Sequence, residues 1–289
     1  MEVLLLHPHG YCVGVRAALS LALATKEKYP DRDVYLLGLL VHNEETMEEL
    51  SSHGLIPLDE RKKPLLDHLL ERKKGDVVVF SAHGHPEAYE DLARDKGLIL
   101  VDATCNFVQE NLRCARSSTS PILYVGVAGH LESEAFLANC PDATFYDVKS
   151  RRCNFLSLLG KGKGRPPVVI TQTTLSYPEV EEAMKDILSF FPEAKLEKER
   201  CHSTSLRQKA ILALPEDIEA VVVLGSTRSN NSLKLAELAS SRGYETHLCL
   251  GLEEVKQIDF STKKRLALCS GASTSDKTFL DVANYLRSL

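Results

Sequence analysis

The stretch VLLLHPHGYCVGVRAALSLALATKEK, residues 3–28, carries the pattern that decides the fold. Its apolar run at residues 3–6 predicts a buried strand, and apolar residues three and four positions apart at 15–28 predict a helix. Cys12 stands between the two. A strand followed by a helix is the repeating unit of proteins that contain parallel sheets.

The same alternation continues along the chain. Further apolar runs predict strands at residues 34–40, 77–80, 98–101, 122–127, 168–170, 220–224 and 266–269. Helical spacing recurs at residues 87–95, 106–116, 178–191, 204–214, 231–241 and 276–288. We therefore expect an α/β fold with largely parallel sheets.

A long-range repeat divides this pattern into thirds. Cys12, Cys105 and Cys201 are 93 and 96 residues apart, and each precedes a helical pattern. After each cysteine, two strands end in polar loops, and these loops contain His42 and His83, then His130 and Thr173, then Ser229 and Ser273. The spacing indicates three α/β units in pseudo-threefold order around a shared centre. The predicted units are residues 13–105, 106–201 and 202–289, the last completed by the N-terminal strand within 1–12.

Composition excludes several classes of protein. The chain has 289 residues, of which 44% are hydrophobic, so it can bury a sizeable core. A net charge of −5 argues against a nucleic-acid partner. The longest apolar stretch is about eight residues, which is too short to span a membrane. The N-terminal apolar run is too short for a signal peptide. We expect a cytoplasmic protein whose eight cysteines form no disulfides.

The position of the three repeated cysteines has a chemical consequence. A helix N-terminus offers unpaired N–H groups and a partial positive charge, which favour thiolate over thiol. Three thiolates suit an iron–sulfur cluster with one iron free of protein ligands, and they equally suit a zinc ion with one open position. The other five cysteines lack this context, so we assign them to the core or the surface.

The polar loops offer many neutral hydrogen-bond donors and few fixed charges. Such a set suits a diphosphate bound beside a metal centre. The segment STRSNNS, which includes Ser229, Asn230 and Asn231, predicts an anion cradle at a helix N-terminus, although these residues also serve as ordinary N-caps. If residues 129–134 form an extended loop, His130 and Glu132 point to the same side and face one pocket. A carboxyl in such a pocket indicates a proton donor. Residue chemistry alone does not separate Glu132 from Glu134.

The ordered set of motifs resembles the 4-hydroxy-3-methylbut-2-enyl diphosphate reductase family over essentially the whole chain. The motifs are GYCVGVRAA (10–18), VHNEETMEEL (41–50), SAHGHP (81–86), VDATCNFV (101–108), GHLESE (129–134), TQTTLS (171–176), Cys201-x-x-Thr204-x-x-Arg207-Gln208, GSTRSNNS (225–232) and GAST (271–274).

The resemblance implies a reductase of the methylerythritol phosphate route to isoprenoids. It implies three α/β domains around a 4Fe-4S cluster held by Cys12, Cys105 and Cys201. On oxidation such a cluster can lose one iron and become 3Fe-4S. It also implies loss of the substrate hydroxyl as water, giving isopentenyl and dimethylallyl diphosphates, with ferredoxin or flavodoxin as electron donor. The matching residues for substrate are His42, His83, His130, Thr173, Ser229, Asn230, Asn231 and Ser273, and the matching proton relay is Glu132 with Thr173.

The sequence departs from the family pattern at several positions, one of which is the absence of the proline that often follows GAST. His9 replaces an arginine, Arg228 and Asn230 alter the GSTRSNNS motif, and Leu131 replaces a proline. These departures motivate an alternative function, a non-catalytic iron–sulfur sensor or electron carrier on the same scaffold. A zinc-dependent hydrolase built on the three cysteines is a further alternative. The complete set of cysteines and Glu132 favours the reductase.

Overall fold

A computed structural model describes residues 1–197 and 201–289 of the chain. The chain divides into two compact units, each made from separate stretches. The first unit consists of Met1–Arg16, Val41–His53 and His202–Leu289, and the second consists of Ala17–Leu40 and Gly54–Cys201.

Strands and helices alternate along nearly the whole chain. The strands are β1 (Glu2–Leu5), β2 (Val34–Leu37), β3 (Leu55–Leu58), β4 (Val77–Phe80), β5 (Ile99–Asp102), β6 (Ile122–Gly126), β7 (Thr144–Asp147), β8 (Arg152–Cys153), β9 (Val168–Thr171), β10 (Lys195–Leu196), β11 (Ala220–Leu224), β12 (Glu245–Cys249) and β13 (Arg265–Ser270). The helices are α1 (Val13–Lys28), α2 (Glu44–Ser52), α3 (Leu65–Leu70), α4 (Glu87–Asp95), α5 (Asn106–Ser117), α6 (Leu131–Asn139), α7 (Tyr177–Phe190), α8 (His202–Leu212), α9 (Asn230–Ser241), α10 (Leu252–Val255) and α11 (Asp276–Ser288). Short 3-10 helices cover Phe155–Leu158 and Lys161–Gly164.

Within the described residues these strands form three sheets. The first unit contains one parallel sheet in the order β1-β13-β11-β12, in which Glu2 pairs with Arg265. The second unit contains a parallel sheet in the order β3-β2-β4-β5 and a five-stranded sheet in the order β10-β9-β6-β7-β8. In the five-stranded sheet β7 and β8 pair antiparallel. The predicted α/β fold with largely parallel sheets is confirmed, whereas the predicted boundaries of three domains stay a prediction.

The central strands owe their place to continuous apolar sequence. Every residue of β4 and of β11 is buried, with exposures of 0–1%. Parallel strands covered on both faces require such runs, because neither face meets water. Each buried valine or leucine contributes about 1.5–3 kcal/mol relative to its exposed state.

Each sheet presents polar loops beyond the carboxyl ends of two neighbouring central strands. The predicted residues and the strands they follow are His42 after β2, His83 after β4, His130 after β6, Thr173 after β9, Ser229 after β11 and Ser273 after β13. The strands of each pair are hydrogen-bonded neighbours. The carboxyl edge of a parallel sheet is where α/β proteins bind ligands, so the fold supports the predicted use of these loops.

A search of the described residues for helices of membrane-spanning length and hydropathy returns none.

Candidate active site

The three repeated cysteines each stand at the start of a helix. Cys12 directly precedes α1, Cys105 is the N-cap of α5, and Cys201 directly precedes α8. All three are half-buried, and within the described residues none of them forms a disulfide. The N–H of Val15 donates to the Cys12 sulfur over 3.4 Å. These positions provide the backbone donors and helix dipole that stabilise a thiolate.

The remaining cysteines lie in different surroundings. Burial raises the pKa of Cys153 and of Cys249 to about 11, and that of Cys269 to about 12. Burial also raises the pKa of Cys140. Burial of these thiols disfavours the thiolate form that binds metal, whereas a helix N-terminus favours it.

Taken singly, Cys12, Cys105 and Cys201 therefore each have surroundings that suit a thiolate ligand of an iron–sulfur cluster. Sulfur ligands and nearby N–H donors are the features such clusters use. In residues 1–197 and 201–289, no three His, Cys, Asp or Glu side chains are grouped closely enough to hold a single metal ion.

Within the second unit, Glu132 and Thr173 form a buried pair. Glu132 is the second residue of α6 and only 3% exposed. The Thr173 N–H donates to Glu132 Oε1 over 2.9 Å, and the Thr173 hydroxyl donates to Oε2 over 2.7 Å. Burial raises the pKa of Glu132 to about 7, although both hydrogen bonds oppose the shift. The carboxyl thus holds or releases a proton near neutral pH, as a general acid requires.

The expectation that Glu132 lies in an extended loop is wrong. Leu131 begins α6, and His130 is the N-cap of that helix, with its Nδ1 accepting the Glu132 N–H over 3.1 Å. The helical turn buries Glu132 and exposes Glu134, whose carboxylate accepts the Gly129 N–H over 3.3 Å. Helix phase therefore selects Glu132 over Glu134 as the buried carboxyl.

Two predicted histidines meet in the same unit. The rings of His83 and His130 lie edge to face with centroids 5.9 Å apart. Burial, with a contribution from His83, lowers the pKa of His130 to about 3. His130 is thus neutral, and because its Nδ1 accepts a hydrogen bond, its Nε2 carries the proton. A neutral donor of this kind suits the predicted hydrogen-bonding role.

In the first unit, the segment after β11 forms the start of α9. Ser229 is the N-cap, and its hydroxyl accepts the Ser232 N–H over 3.3 Å. Asn230 is the first helical residue, and Asn231 follows it at 4% exposure. The segment is therefore an ordinary N-cap by geometry, which leaves an anion site to be argued from other atoms.

Those atoms are found at Asn231 and Ser273. Among the buried side chains that the structure describes, the Asn231 amide oxygen and nitrogen and the Ser273 hydroxyl have no hydrogen-bond partner. A buried polar group left unsatisfied costs about 1–3 kcal/mol, so such groups commonly mark a place for a ligand. Amide and hydroxyl donors are suited to phosphate oxygens, and the phosphate-binding role of these residues stays a prediction.

His42 lies in a neighbouring part of the first unit. It directly precedes Asn43, the N-cap of α2, whose side chain accepts the Thr46 N–H over 2.9 Å. The Thr46 hydroxyl in turn donates to the Ser273 carbonyl over 3.3 Å. The start of α2 and the loop after β13 are thus held together, which brings the segments of His42 and Ser273 to one place.

The predicted residues divide between the units. The first unit contains Cys12, His42, Ser229, Asn230, Asn231 and Ser273, and the second contains Cys105, Cys201, His83, His130, Glu132 and Thr173. Direct contacts connect Glu132 with Thr173 and His83 with His130.

The departures from the family pattern have local structural roles. The His9 ring stacks on Phe279 with centroids 4.0 Å apart. Arg228 Nε lies 3.8 Å from the carboxylate of Glu44 in α2. Leu131 begins α6. These departures leave the three repeated cysteines and Glu132 unchanged.

One polar residue of the second unit was not predicted individually. Gln172 is 2% exposed, and its side-chain oxygen accepts the Val127 N–H over 2.9 Å and the Ser133 hydroxyl over 3.1 Å. Its amide nitrogen donates to Thr174 over 2.7 Å. Gln172 therefore fixes the loop that presents Thr173. Only its place in the TQTT motif could have indicated it.

Comparison with known proteins identifies the family. The model of the family described as LytB protein matches residues 3–287. The 4-hydroxy-3-methylbut-2-enyl diphosphate reductase of Symbiobacterium thermophilum is 33% identical over 279 residues, or 95% of this chain and 92% of the relative. The protein of the same name from Brevibacillus brevis is 33% identical over 292 residues, or 99% of this chain and 91% of the relative.

Two solved structures share the fold. The E-1-hydroxy-2-methyl-but-2-enyl-4-diphosphate reductase from Plasmodium falciparum aligns with a TM-score of 0.84 and 23% identity, covering 99% of this chain and 87% of that one. A structure of (E)-4-hydroxy-3-methyl-but-2-enyl diphosphate reductase, the terminal enzyme of the non-mevalonate pathway, aligns over all of both chains with a TM-score of 0.67 and 25% identity. The match over nearly its whole length shows that this chain belongs to the LytB protein family.

Proposed function

We propose that this protein is an oxidoreductase that converts 4-hydroxy-3-methylbut-2-enyl diphosphate into isopentenyl and dimethylallyl diphosphates. One C–O bond breaks, one C–H bond forms and the hydroxyl leaves as water, which consumes two electrons and two protons. Family membership supports this reaction. The observation that carries the proposal is the buried Glu132 carboxyl, which Thr173 holds and whose pKa of about 7 allows proton donation at neutral pH.

The cysteines are the proposed ligands of a 4Fe-4S cluster. Cys12, Cys105 and Cys201 would hold three irons as thiolates, which their helix N-terminal positions stabilise. When bound, the cluster supplies electrons one at a time and a Lewis-acidic iron without a protein ligand. Because only three cysteines would hold the cluster, one iron would lack a protein ligand, and oxidation would remove it to leave a 3Fe-4S form.

The polar loops are the proposed substrate-binding residues. Ser229, Asn230, Asn231 and Ser273 would bind phosphate oxygens, and the unsatisfied buried atoms of Asn231 and Ser273 support this role. His42, His83, His130 and Thr173 would complete the hydrogen-bonding set. The neutral state of His130 supports its use as a donor, since it can give its Nε2–H without carrying a charge.

Glu132 is the proposed proton donor to the departing hydroxyl. Its proton leaves the carboxyl as water forms, and the two Thr173 donors then stabilise the resulting carboxylate. Burial excludes bulk water from the carboxyl, which keeps the proton available for transfer. Thr173 therefore acts in both protonation states of its partner.

Electrons would come from reduced ferredoxin or flavodoxin in the cytoplasm.

The test is a direct assay of the holoprotein. The protein would be purified without oxygen, supplied with 4-hydroxy-3-methylbut-2-enyl diphosphate, and followed by oxidation of a reduced viologen dye. Formation of both five-carbon diphosphates is the expected result. An intact cluster with no turnover would favour a sensor or electron carrier. Zinc without acid-labile sulfide would favour the hydrolase.

A further inference from the structure

Arg207 is a buried arginine on α8 and is 3% exposed. Arginine is rarely buried to this degree unless its donors are satisfied. Its Nη2 donates to the Gly10 carbonyl over 2.6 Å, and its Nε donates to the Ser270 carbonyl over 3.0 Å. Its Nη1 donates to both the carbonyl and the hydroxyl of Ser203. One planar guanidinium thus connects three backbone segments of the first unit.

Two of these segments carry proposed cluster ligands. Gly10 lies two residues before Cys12, and Ser203 lies two residues after Cys201. The third segment, which begins at Ser270, holds the Cys12 loop directly. The Gly10 N–H donates to the Ser270 hydroxyl over 3.0 Å, and the Cys12 N–H donates to the Ala272 carbonyl over 3.0 Å. The guanidinium therefore secures the backbone beside both cysteines.

The charge of Arg207 acts on this region as well. Burial raises the pKa of the nearby Cys269 thiol to about 12, and Arg207 opposes that shift. A fixed cation therefore favours negative charge on sulfur in its surroundings. An iron–sulfur cluster with three thiolates is anionic, and its potential depends on nearby charge and hydrogen bonds.

We propose that Arg207 is a positioning residue that retains the iron–sulfur cluster and raises its reduction potential. It does so by fixing the backbone at Cys12 and Cys201 and by placing one positive charge beside them. This inference rests on the proposed function, since it requires the cluster. Lysine cannot replace the geometry, because an ammonium lacks the planar set of five donors, but it does keep the charge.

The experiment compares R207K and R207M with wild type and with K209M. Lys209 is an exposed cation on the same helix, so K209M is a matched control for the loss of one charge. Each anaerobically purified holoprotein would be measured for iron and acid-labile sulfide, for iron release to a chelator, and for midpoint potential. We expect R207K and R207M to release iron at least about tenfold faster, the usual cost of losing an outer-shell partner. The potential should become more negative in R207M only.

The outcomes separate this inference from the function on which it rests. Wild type without iron and sulfide would contradict the proposed function itself. A loaded wild type with R207K and R207M that match K209M in release would overturn the role of Arg207 alone. An unchanged potential in R207M would also overturn it, by reducing Arg207 to a purely structural residue. If circular dichroism shows that R207M does not fold, R207K is compared with K209M alone. Faster iron release from R207K supports the role of Arg207, and equal release overturns it.

Discussion

Replacement of Glu132 by glutamine tests the proposed proton donor most sharply. The amide keeps the size of the side chain and can still accept from Thr173, but it carries no acidic proton. General acid catalysis by a positioned side chain contributes roughly 10²–10⁴ in rate. We therefore expect kcat of E132Q to fall at least about 100-fold while the cluster content stays unchanged.

The raised pKa adds a second, independent signature. The pKa of Glu132 rises from 4.5 to about 7 on folding, which means that the fold favours the protonated carboxyl. The resulting contribution to stability is complete below pH 4.5 and is lost as pH rises through 7. This difference in pKa between the folded and unfolded states corresponds to about 3 kcal/mol of stability, of which about 2–3 kcal/mol is lost between pH 5 and pH 8. E132Q lacks this titration. As pH rises from 5 to 8, the free energy of unfolding of wild type should therefore fall by this amount relative to that of E132Q.

The assays are viologen oxidation for kcat and denaturant unfolding followed by circular dichroism at several pH values. The control is E134Q, because Glu134 lies in the same helical turn but is exposed. Wild type and E134Q should lose kcat above about pH 7, as Glu132 loses its proton. Activity of E132Q within threefold of wild type, or a stability difference from wild type that is constant between pH 5 and pH 8, would refute the reasoning.

Three further predictions concern other parts of the site. Serine in place of any one of the three proposed cysteine ligands should lower iron and sulfide per chain, measured by colorimetric analysis, whereas C114S on α5 should leave both unchanged. T173V removes a hydrogen bond that lowers the pKa of Glu132, so the alkaline limb of the kcat profile should move up by about one pH unit, and T173S should keep it in place. N231L removes unsatisfied buried polar atoms, so the free energy of unfolding should not fall, while KM for the diphosphate should rise at least about tenfold. A KM within twofold of wild type would remove Asn231 from the substrate site.

The strands that were predicted most accurately from the sequence are those buried on both faces. The runs at 77–80 and 220–224 match β4 and β11 to the residue, because nothing but apolar side chains fits there. The strands β3, β7, β8, β10 and β12 were not predicted. Of these, β3 has the sequence LIPL, which contains a proline, and β12 has the sequence ETHLC, which mixes polar and apolar residues at an edge of its sheet.

The site was predictable in its residue types and only partly in its geometry. Each repeated cysteine could be placed at a helix start, because a helical pattern follows it in the sequence. The choice between Glu132 and Glu134 depends on which face of α6 is buried. The sequence spacing of the two glutamates does not show this. The role of Arg207 depends on contacts with Gly10 and Ser270, which are 197 and 63 residues away in sequence.

The pairing of β1 with β13 imposes an order on biosynthesis. Glu2 leaves the ribosome early, yet its partner Arg265 is added 263 residues later, which at about 5–20 residues per second is a delay of roughly 10–50 s. The second unit ends at Cys201, so all of its chain is made before the C-terminal strands of the first unit exist. The Cys12 amide meets its Ala272 partner only after residue 272 has been synthesised. Assembly of the proposed iron–sulfur cluster would therefore follow synthesis of β13, and chains truncated before β13 should not retain iron and sulfide.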